Sequence, residues 1–309
     1  MNSGTLFSDK VESKYIMTYK GFTGCGTALI TPFIDGEVDY TSFAALVDRQ
    51  TEAGIDFLVP LGTTGETPCL EDDERINVLE TTKEHSKGLP ILVGGGTNSL
   101  KHTVRSMQLL EPHGADAFLI VVPYYNKPTQ EGQYQYFKAV AESTDKPVIL
   151  YNVPGRTGAN MTAETALRLA EIENVIAVKE ASGNRAQIEE ILRNAPEGFA
   201  VLSGNDDDTI WMMEQGGAGV ISVASNVAPA LMAEFIGAMK TGQWDKARQM
   251  NDRLAPLFNN CFVESNPIPA KAALAAMGLI RNELRLPLVS CQQATYDLMI
   301  DTIRPLGLL

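Results

Sequence analysis

Val175-Ile-Ala-Val-Lys179 is an unbroken apolar run that ends on a lysine, and an earlier run of the same kind, Val148-Ile-Leu-Tyr151, ends on a tyrosine. Apolar runs without alternation are typical of strands buried on both faces, as in a parallel sheet. The carboxyl ends of parallel neighbours meet at one edge of such a sheet. We therefore predict that the side chains of Tyr151 and Lys179 approach each other there.

Similar runs recur along the chain and alternate with amphipathic segments of helical length. Eight runs fit strands, at 27–31, 57–60, 91–93, 117–122, 148–151, 175–179, 199–202 and 219–222. The segments between them predict helices at 42–53, 72–86, 100–113, 130–143, 162–170, 185–194, 207–215 and 228–240. Eight β/α units close a (β/α)8 TIM barrel, which we predict over residues 21–240.

A doubly wound open sheet is the structural alternative to the barrel. That fold opens its first βα turn with a Gly-x-Gly-x-x-Gly fingerprint, which is missing here. Gly94-Gly95-Gly96 follows a strand but lacks both this spacing and a P-loop lysine. Dinucleotide binding is therefore disfavoured.

The two ends of the chain differ from the alternating part. After residue 240 we predict only helices, at 243–262, 269–277 and 292–303, and interpret 241–309 as a helical domain packed on the barrel or on a neighbouring subunit. Residues 1–20 are polar, share no pattern with the rest and lack the apolar core of a secretory signal, so we interpret them as a peripheral extension.

Composition narrows the function classes. The chain has 309 residues with 25 Lys+Arg against 38 Asp+Glu, a net charge of −13, which disfavours a nucleic-acid binder. No apolar stretch is long enough to cross a membrane. The four cysteines form no Cys-x-x-Cys pair, which favours a reducing compartment such as the cytoplasm over a disulfide framework or a zinc site.

Polar side chains collect where the predicted strands end, which is where barrel enzymes carry their chemistry. Lys179 is the sharpest candidate, because a lysine shielded from water has a lowered pKa and its free amine attacks carbonyl groups. The alternative is an amine that simply pairs with Glu180 or another carboxylate.

Four further positions have both a functional and a structural interpretation. Tyr151 could pass protons to a carbinolamine or enamine, or be a core tyrosine with a satisfied hydroxyl. In Gly62-Thr-Thr-Gly65, Thr63 and Thr64 could cradle a carboxylate, or form only a turn. Arg156 could bind a carboxylate through two parallel hydrogen bonds, or be an ordinary surface arginine. His85, His102 and His113 fall in helices, and no cluster suggests a metal site.

Four motifs together resemble the dihydrodipicolinate synthase family, within the N-acetylneuraminate lyase superfamily of class I aldolases. They are Gly62-Thr-Thr-Gly-Glu66, Tyr124-Tyr-Asn-Lys-Pro128, Tyr151-Asn-Val-Pro-Gly-Arg-Thr-Gly158 and Lys179-Glu-Ala-Ser-Gly183. The resemblance runs from about Gly24 to the C-terminus and implies a (β/α)8 barrel with a C-terminal helical domain. It also implies a homotetramer made of two tight dimers.

The implied reaction condenses pyruvate with L-aspartate 4-semialdehyde to give 4-hydroxy-tetrahydrodipicolinate, on the route to diaminopimelate and lysine. Lys179 would form a Schiff base with pyruvate, so neither a metal nor a cofactor is expected. Tyr151, Thr63 and Tyr125 would relay protons, Tyr125 from the tight-dimer partner.

The resemblance also implies the substrate contacts. Thr63 and Thr64 would hold the pyruvate carboxylate and Arg156 that of the semialdehyde, while Gly204 and the Ile221 carbonyl would line the pocket. Arg156 and the paired tyrosines favour this activity over the runner-up, an aldolase of the same superfamily that cleaves N-acetylneuraminate or 2-keto-3-deoxy sugar acids. A barrel without catalysis would show damage to the lysine or the tyrosines, and none is present.

One departure from the family pattern concerns feedback by lysine. Feedback-sensitive members bind lysine at the tight-dimer interface, and the matching positions here are Asp72, Arg75, Asn98, His102 and Tyr124. His102 replaces a glutamate that accepts the effector's ammonium. Because an unpaired buried charge is costly, we predict poor inhibition by lysine.

Overall fold

The computed structural model describes residues 21–309, and the predicted N-terminal extension at 1–20 lies outside them. Ten strands occur in this part of the chain. They are β1 Gly24–Ala28, β2 Phe33–Ile34, β3 Glu37–Val38, β4 Phe57–Val59, β5 Leu92–Gly94, β6 Ala117–Val121, β7 Val148–Asn152, β8 Val175–Glu180, β9 Ala200–Ser203 and β10 Gly219–Ser222.

Eight of these strands form one parallel sheet, in the order β4-β1-β10-β9-β8-β7-β6-β5. A parallel bridge between Leu58 and Ile91 joins the two outer strands and closes the sheet into a barrel. The predicted TIM barrel is therefore confirmed, and the open-sheet alternative is wrong.

Helices follow the barrel strands, and the longer ones cover the outside of the barrel. They are α1 Tyr40–Glu52, α2 Asp72–His85, α3 Leu100–Leu110, α4 Gln130–Ala141, α5 Pro154–Thr157, α6 Ala163–Ala170, α7 Arg185–Asn194, α8 Thr209–Glu214, α9 Ala224–Val227 and α10 Pro229–Lys240. Side-chain caps fix several starts; for example, Asp39 accepts the amide of Ser42 at 3.0 Å at the start of α1.

The first strand begins three residues before its predicted position at 27–31. A methyl group at Gly26 would lie 2.1 Å from the Phe57 ring, so only glycine lets β1 pack against β4 here. Glycines weaken an apolar pattern, which is why the sequence placed the strand too late. The β2–β3 hairpin was also not predicted, although Asp35 and Gly36 both have a positive φ, as a tight Asp-Gly turn requires.

Three further α-helices follow the barrel, α11 Trp244–Asn260, α12 Ile268–Ala276 and α13 Gln293–Ile303. Their buried apolar side chains share one core with Cys25 of β1 and Phe235 of α10. The C-terminal helices therefore pack on the barrel of their own chain. No helix within residues 21–309 is both long and apolar enough to span a bilayer.

Candidate active site

A cavity of about 490 Å³ opens at the carboxyl ends of the barrel strands. Most of the residues singled out from the sequence line it, and they come from five different strand ends. These are Gly62, Thr63, Thr64, Tyr124, Tyr151, Arg156, Lys179 and Gly204. The barrel thus brings together positions that are more than 140 residues apart in the sequence, from Gly62 to Gly204.

Lys179 lies beside Tyr151 at the base of this cavity. The two residues are paired in register on β8 and β7, and the Lys179 amine lies 4.3 Å from the centre of the Tyr151 ring. Burial lowers the pKa of Lys179 to about 7; Asp206 opposes this shift and Arg156 adds to it. Near neutral pH a large share of this amine is therefore unprotonated and nucleophilic.

Glu180, the alternative partner of the lysine, is engaged elsewhere. Its carboxylate accepts hydrogen bonds from the Asn152 side chain at 3.0 Å and from the Ser182 amide at 2.7 Å. Successive residues of a strand point to opposite faces, so Glu180 faces the helices while Lys179 faces the barrel interior. The lysine is thus left free for chemistry.

The Tyr151 phenol is held in its protonated form. Burial raises the pKa of Tyr151 to about 12, an effect that the charge of Arg156 and a hydrogen bond with the Thr63 hydroxyl partly offset. A phenol that keeps its proton can donate it to a developing alkoxide and take one back through Thr63. This hydrogen bond also satisfies the hydroxyl as a core tyrosine would need, so the role of Tyr151 in proton transfer stays a prediction, supported by its place in the cavity beside Lys179.

The Gly62–Glu66 segment forms a single 3-10 turn at Thr63–Gly65. Thr64 is buried and its hydroxyl accepts a hydrogen bond from the Asn266 side chain at 2.9 Å, while Thr63 is exposed towards the cavity. Hydroxyl groups and free amides at such a turn are suited to hold a carboxylate.

Arg156 stands at the mouth of the cavity on the short helix α5. One guanidinium nitrogen donates to the Asn266 carbonyl at 3.3 Å, so the side chain is oriented rather than loose on the surface. The remaining donors of the guanidinium can bind an anionic substrate.

Asp206 lies behind the lysine and is 2% exposed. One carboxylate oxygen accepts the amides of Val223 and Ala224 at 3.1 and 2.9 Å, and burial raises the pKa of the group. Gly204 passes close to the lysine, since a methyl group there would lie 3.2 Å from its Cε. Within residues 21–309 no cluster of His, Cys, Asp or Glu side chains has a geometry that could hold a metal ion.

A family model for the dihydrodipicolinate synthetase family matches residues 21–305. The chain belongs to this family. The resemblance drawn from the four motifs is thereby confirmed.

Curated relatives of this synthetase-family chain carry one name. The chain is 48% identical over 293 residues to the 4-hydroxy-tetrahydrodipicolinate synthase of Thermotoga neapolitana, a match that covers 93% of this chain and 100% of the relative. It is 51% identical over 269 residues to the enzyme of the same name from Koribacter versatilis, covering 86% of this chain and 90% of the relative.

The chain is also similar to solved structures of dihydrodipicolinate synthases. The crystal structure of the dihydrodipicolinate synthase of Thermotoga maritima matches with a TM-score of 0.92 and 46% identity, covering 94% of this chain and all of that one. A structure described as the first monomeric dihydrodipicolinate synthase variant matches equally well, with a TM-score of 0.92, 46% identity and coverage of 94% and 99%.

Two of the predicted site residues of this synthetase-family chain lie away from the cavity. Tyr125 is 89% exposed, with a positive φ of 71°, and does not line the cavity of its own chain. The side chain of Ile221 packs in the barrel core and does not line the cavity, so the role of its carbonyl stays a prediction.

The five positions matched to the lysine-effector site are only partly brought together. Arg75 and Tyr124 line the cavity, Asp72 pairs with Arg75 at 3.2 Å, and Asn98 donates to the Tyr124 carbonyl at 3.3 Å. His102 is exposed on α3 and does not line the cavity. A cation, Arg75, therefore occupies this part of the pocket.

Asn266 and Asp206 were not assigned roles from the sequence. Asp206 directly follows Gly204-Asn205 at a strand end, which was a usable signal. Asn266 opens the run Asn266-Pro-Ile-Pro269, which fits the family pattern, but it follows the barrel in the sequence and its place at the cavity was not predicted.

Proposed function

We propose that this chain is a 4-hydroxy-tetrahydrodipicolinate synthase, which condenses pyruvate with L-aspartate 4-semialdehyde through a Schiff base on Lys179. The observation that carries the proposal is the buried amine of Lys179, 4.3 Å from the ring of Tyr151. The names of the relatives and the family membership support the same activity.

The reaction follows from the residues of the cavity. The neutral Lys179 amine attacks the keto carbon of pyruvate, and loss of water leaves an iminium ion. This ion draws electrons from the methyl group, which loses a proton and attacks the aldehyde carbon of the second substrate as an enamine. The amino group of that substrate then attacks the re-formed iminium carbon and displaces the Lys179 amine, which closes the ring of the product and frees the enzyme. Tyr151 supplies and receives the protons through Thr63, and the iminium serves as the electron sink, so the proposed chemistry uses no metal or cofactor.

Substrate binding is assigned to the groups around the lysine. Thr63 and Thr64 hold the pyruvate carboxylate, and Arg156 at the mouth binds the carboxylate of the semialdehyde. Gly204 gives the substrate room beside the lysine. The chain as a whole is acidic, but solvent screens distant charges beyond about 10 Å, so these local donors set the potential of the site.

We further propose that two copies form a tight dimer in which Tyr125 completes the proton relay of the partner, and that two such dimers form a homotetramer. Two observations support this arrangement: Thr63 is exposed in the cavity, and Tyr125 is 89% exposed and does not line the cavity of its own chain. The barrel over 21–240 and the helical domain over 241–309 would act as one unit, since they share a core. Four free thiols are consistent with work in the cytoplasm.

We also propose that lysine inhibits this enzyme poorly. The Arg75 guanidinium lies in the part of the cavity that matches the lysine-effector site. Binding the lysine ammonium beside this cation is unfavourable, because position 102 holds a histidine and offers no carboxylate to pair with it. Titration of the condensation reaction with lysine should show little inhibition at millimolar concentrations. Half-maximal inhibition below 1 mM would contradict this.

Reductive trapping tests the proposed function directly. Treatment with borohydride in the presence of pyruvate should give one adduct, which peptide mass spectrometry places on Lys179, and none in Lys179→Ala. The trapped enzyme should lose condensation activity with aspartate semialdehyde. An adduct at another lysine, or cleavage of N-acetylneuraminate or 2-keto-3-deoxygluconate in preference to condensation, would refute the assignment.

A further inference from the structure

Glu66 ends the turn that carries Thr63 and Thr64, and it is 2% exposed. Its amide donates to the Thr63 carbonyl at 3.1 Å. Its carboxylate accepts hydrogen bonds from the Lys271 amine and, at 3.1 Å, from the Arg285 amide. A charged side chain of the turn is thus held by residues from the far end of the chain.

Lys271 lies on α12 and is completely buried. Besides Glu66, its amine donates to the Glu283 carbonyl at 3.0 Å and lies 4.2 Å from the centre of the Phe33 ring. Arg285 also stacks on Phe33, at 4.6 Å, and forms two hydrogen bonds of 2.6 Å with Glu74. Two hydrogen bonds and the Phe33 ring thus engage the Lys271 amine within this network, and Lys271 does not line the cavity.

The turn itself is under conformational constraint. Leu61 and Glu66, which flank it, have φ values of 58° and 52°, in the region that glycine favours. Side chains with a Cβ remain in this region only where surrounding contacts hold them. The turn has two side-chain anchors to the C-terminal segment, Asn266 on the Thr64 hydroxyl and Lys271 on the Glu66 carboxylate.

A buried ion pair is weak evidence for stability. Removing two charges from water costs several kcal/mol, and replacing a buried ion pair by packed apolar side chains is often neutral or stabilising. Stability alone therefore does not explain the pair. The hydrogen bonds of the Glu66 carboxylate are directional and fix the position of the Thr63–Gly65 turn, which apolar contacts would do less well.

We propose that Glu66 and Lys271 are positioning residues: their ion pair ties the Thr63–Gly65 turn to helix α12 and thereby sets the affinity of the active site for the pyruvate carboxylate. This inference rests on the proposed function, in which that turn holds pyruvate. Neither residue touches substrate. Through this ion pair, helix α12 thus contributes to pyruvate binding indirectly, by holding the turn.

The test compares variants in pyruvate trapping and in steady-state condensation. The double variant Glu66→Met/Lys271→Met removes both charges at similar volume. Because the Arg285 amide and the Glu283 carbonyl also lose their partners, we expect a modest fall in its melting temperature. We expect the pyruvate concentration for half-maximal trapping to rise about tenfold. The KM for the semialdehyde, which binds at Arg156, should change less than about twofold, and so should the trapping yield at saturating pyruvate.

A matched control is Glu74→Gln, which breaks the other ion pair of the same network without touching the turn. It should lower the melting temperature but leave half-saturation by pyruvate unchanged. If the double variant fails to fold, Glu66→Gln serves instead, because it keeps the shape and removes only the charge. We expect an increase of about three- to fivefold in half-saturation for this variant.

Wild-type half-saturation in the folded double variant, or in Glu66→Gln where the double variant does not fold, would overturn the inference. Equal increases for pyruvate and the semialdehyde would also overturn it, since they would indicate a general loss of structure. Failure of the proposed function looks different, because the wild type itself would then give no adduct on Lys179, and the inference would fall with it.

Discussion

Single residues set the chemistry of this site through what surrounds them. Lys179 and Lys271 are both buried lysines, but Lys271 is bonded to a carboxylate while Lys179 has a phenol ring and an open cavity beside it. The same burial that costs stability at Lys179 makes its amine a nucleophile. The Lys271 amine, by contrast, is held in a structural ion pair with Glu66.

The lowered pKa of Lys179 predicts a pH dependence for the first step. Below about pH 7 the amine is protonated and cannot attack, and above it the amine is neutral. We expect the rate of imine formation with pyruvate to rise through pH 7 and level off above it. Quench and mass spectrometry at each pH would measure this, and a rate still rising steeply at pH 9 to 10 would show an ordinary lysine.

Replacing the lysine should stabilise the protein. The folded chain binds this proton with a pKa of about 7 against an ordinary value of 10.5, so the unfolded chain holds more protons between these pH values. Stability from this residue thus rises with pH across that window, and its cost is largest at pH 7 and below. We expect Lys179→Met to be inactive but more stable by about 2 kcal/mol at pH 7.

Urea unfolding at pH 7 and near pH 10 would measure this gain, which should shrink at the higher pH as the two protonation states converge. Lys240→Met, at an exposed ion pair with Asp56, is a matched control without such a gain. A destabilised Lys179→Met protein would show that the lysine contributes more packing than its desolvation costs.

At the scale of elements, the close approach of the β5 backbone to the segment before the Thr63–Gly65 turn fixes the position of that turn. A methyl group at Gly94, the last residue of β5, would lie 1.9 Å from the Leu61 carbonyl oxygen, just before the turn. Glycine there lets the end of β5 support the segment that carries Thr63. The turn is therefore held from the barrel side by backbone contact and from the C-terminal side by α12.

Gly94→Ala should consequently destabilise the fold by about 3 kcal/mol, because backbone on both sides cannot move apart without opening the barrel. Gly237→Ala is the control, since it lies in α10 with no heavy atom within 4 Å of an added methyl group. We expect this control to be neutral or more stable by about 0.5 to 1 kcal/mol. Denaturant unfolding of both variants decides, and equal stability would refute the steric argument.

At the scale of the whole molecule, the cavity of one chain lacks a predicted participant. Tyr125 is 89% exposed and does not line the cavity, whereas Tyr151 and Thr63 do. If Tyr125 takes part in the proposed relay, it must therefore do so in another copy of the chain. The proposed dimer would thus bring together the relay that one chain leaves incomplete.

Mixing inactive variants tests that arrangement. Lys179→Ala and Tyr125→Ala should each be strongly impaired, but their mixed dimers would contain one site with both the lysine and the partner's tyrosine. After dissociation and reassociation we expect about a quarter of wild-type activity, since half of the dimers are mixed and each has one intact site of two. Light scattering would confirm assembly, and no recovery on mixing would contradict a shared site.

The sequence by itself determined the barrel and most of its site. Eight apolar runs without alternation favour strands buried on both faces, and the residues at their ends then meet at one rim. This made Lys179, Tyr151, Thr63 and Arg156 candidates, and the family resemblance supplied the roles predicted for them. The start of β1 was predicted three residues too late, because Gly24 and Gly26 have no side chain and so add nothing to an apolar pattern.

Only the tertiary structure decided what lies behind those residues. Asn266, Lys271 and Arg285 reach the catalytic turn from about 200 residues away, at 202, 205 and 219 positions along the chain. Local periodicity reports which face of an element is buried, but not which distant element covers it. The partners of a buried charge depend on how the whole chain packs, and that information appears in no local pattern of the sequence.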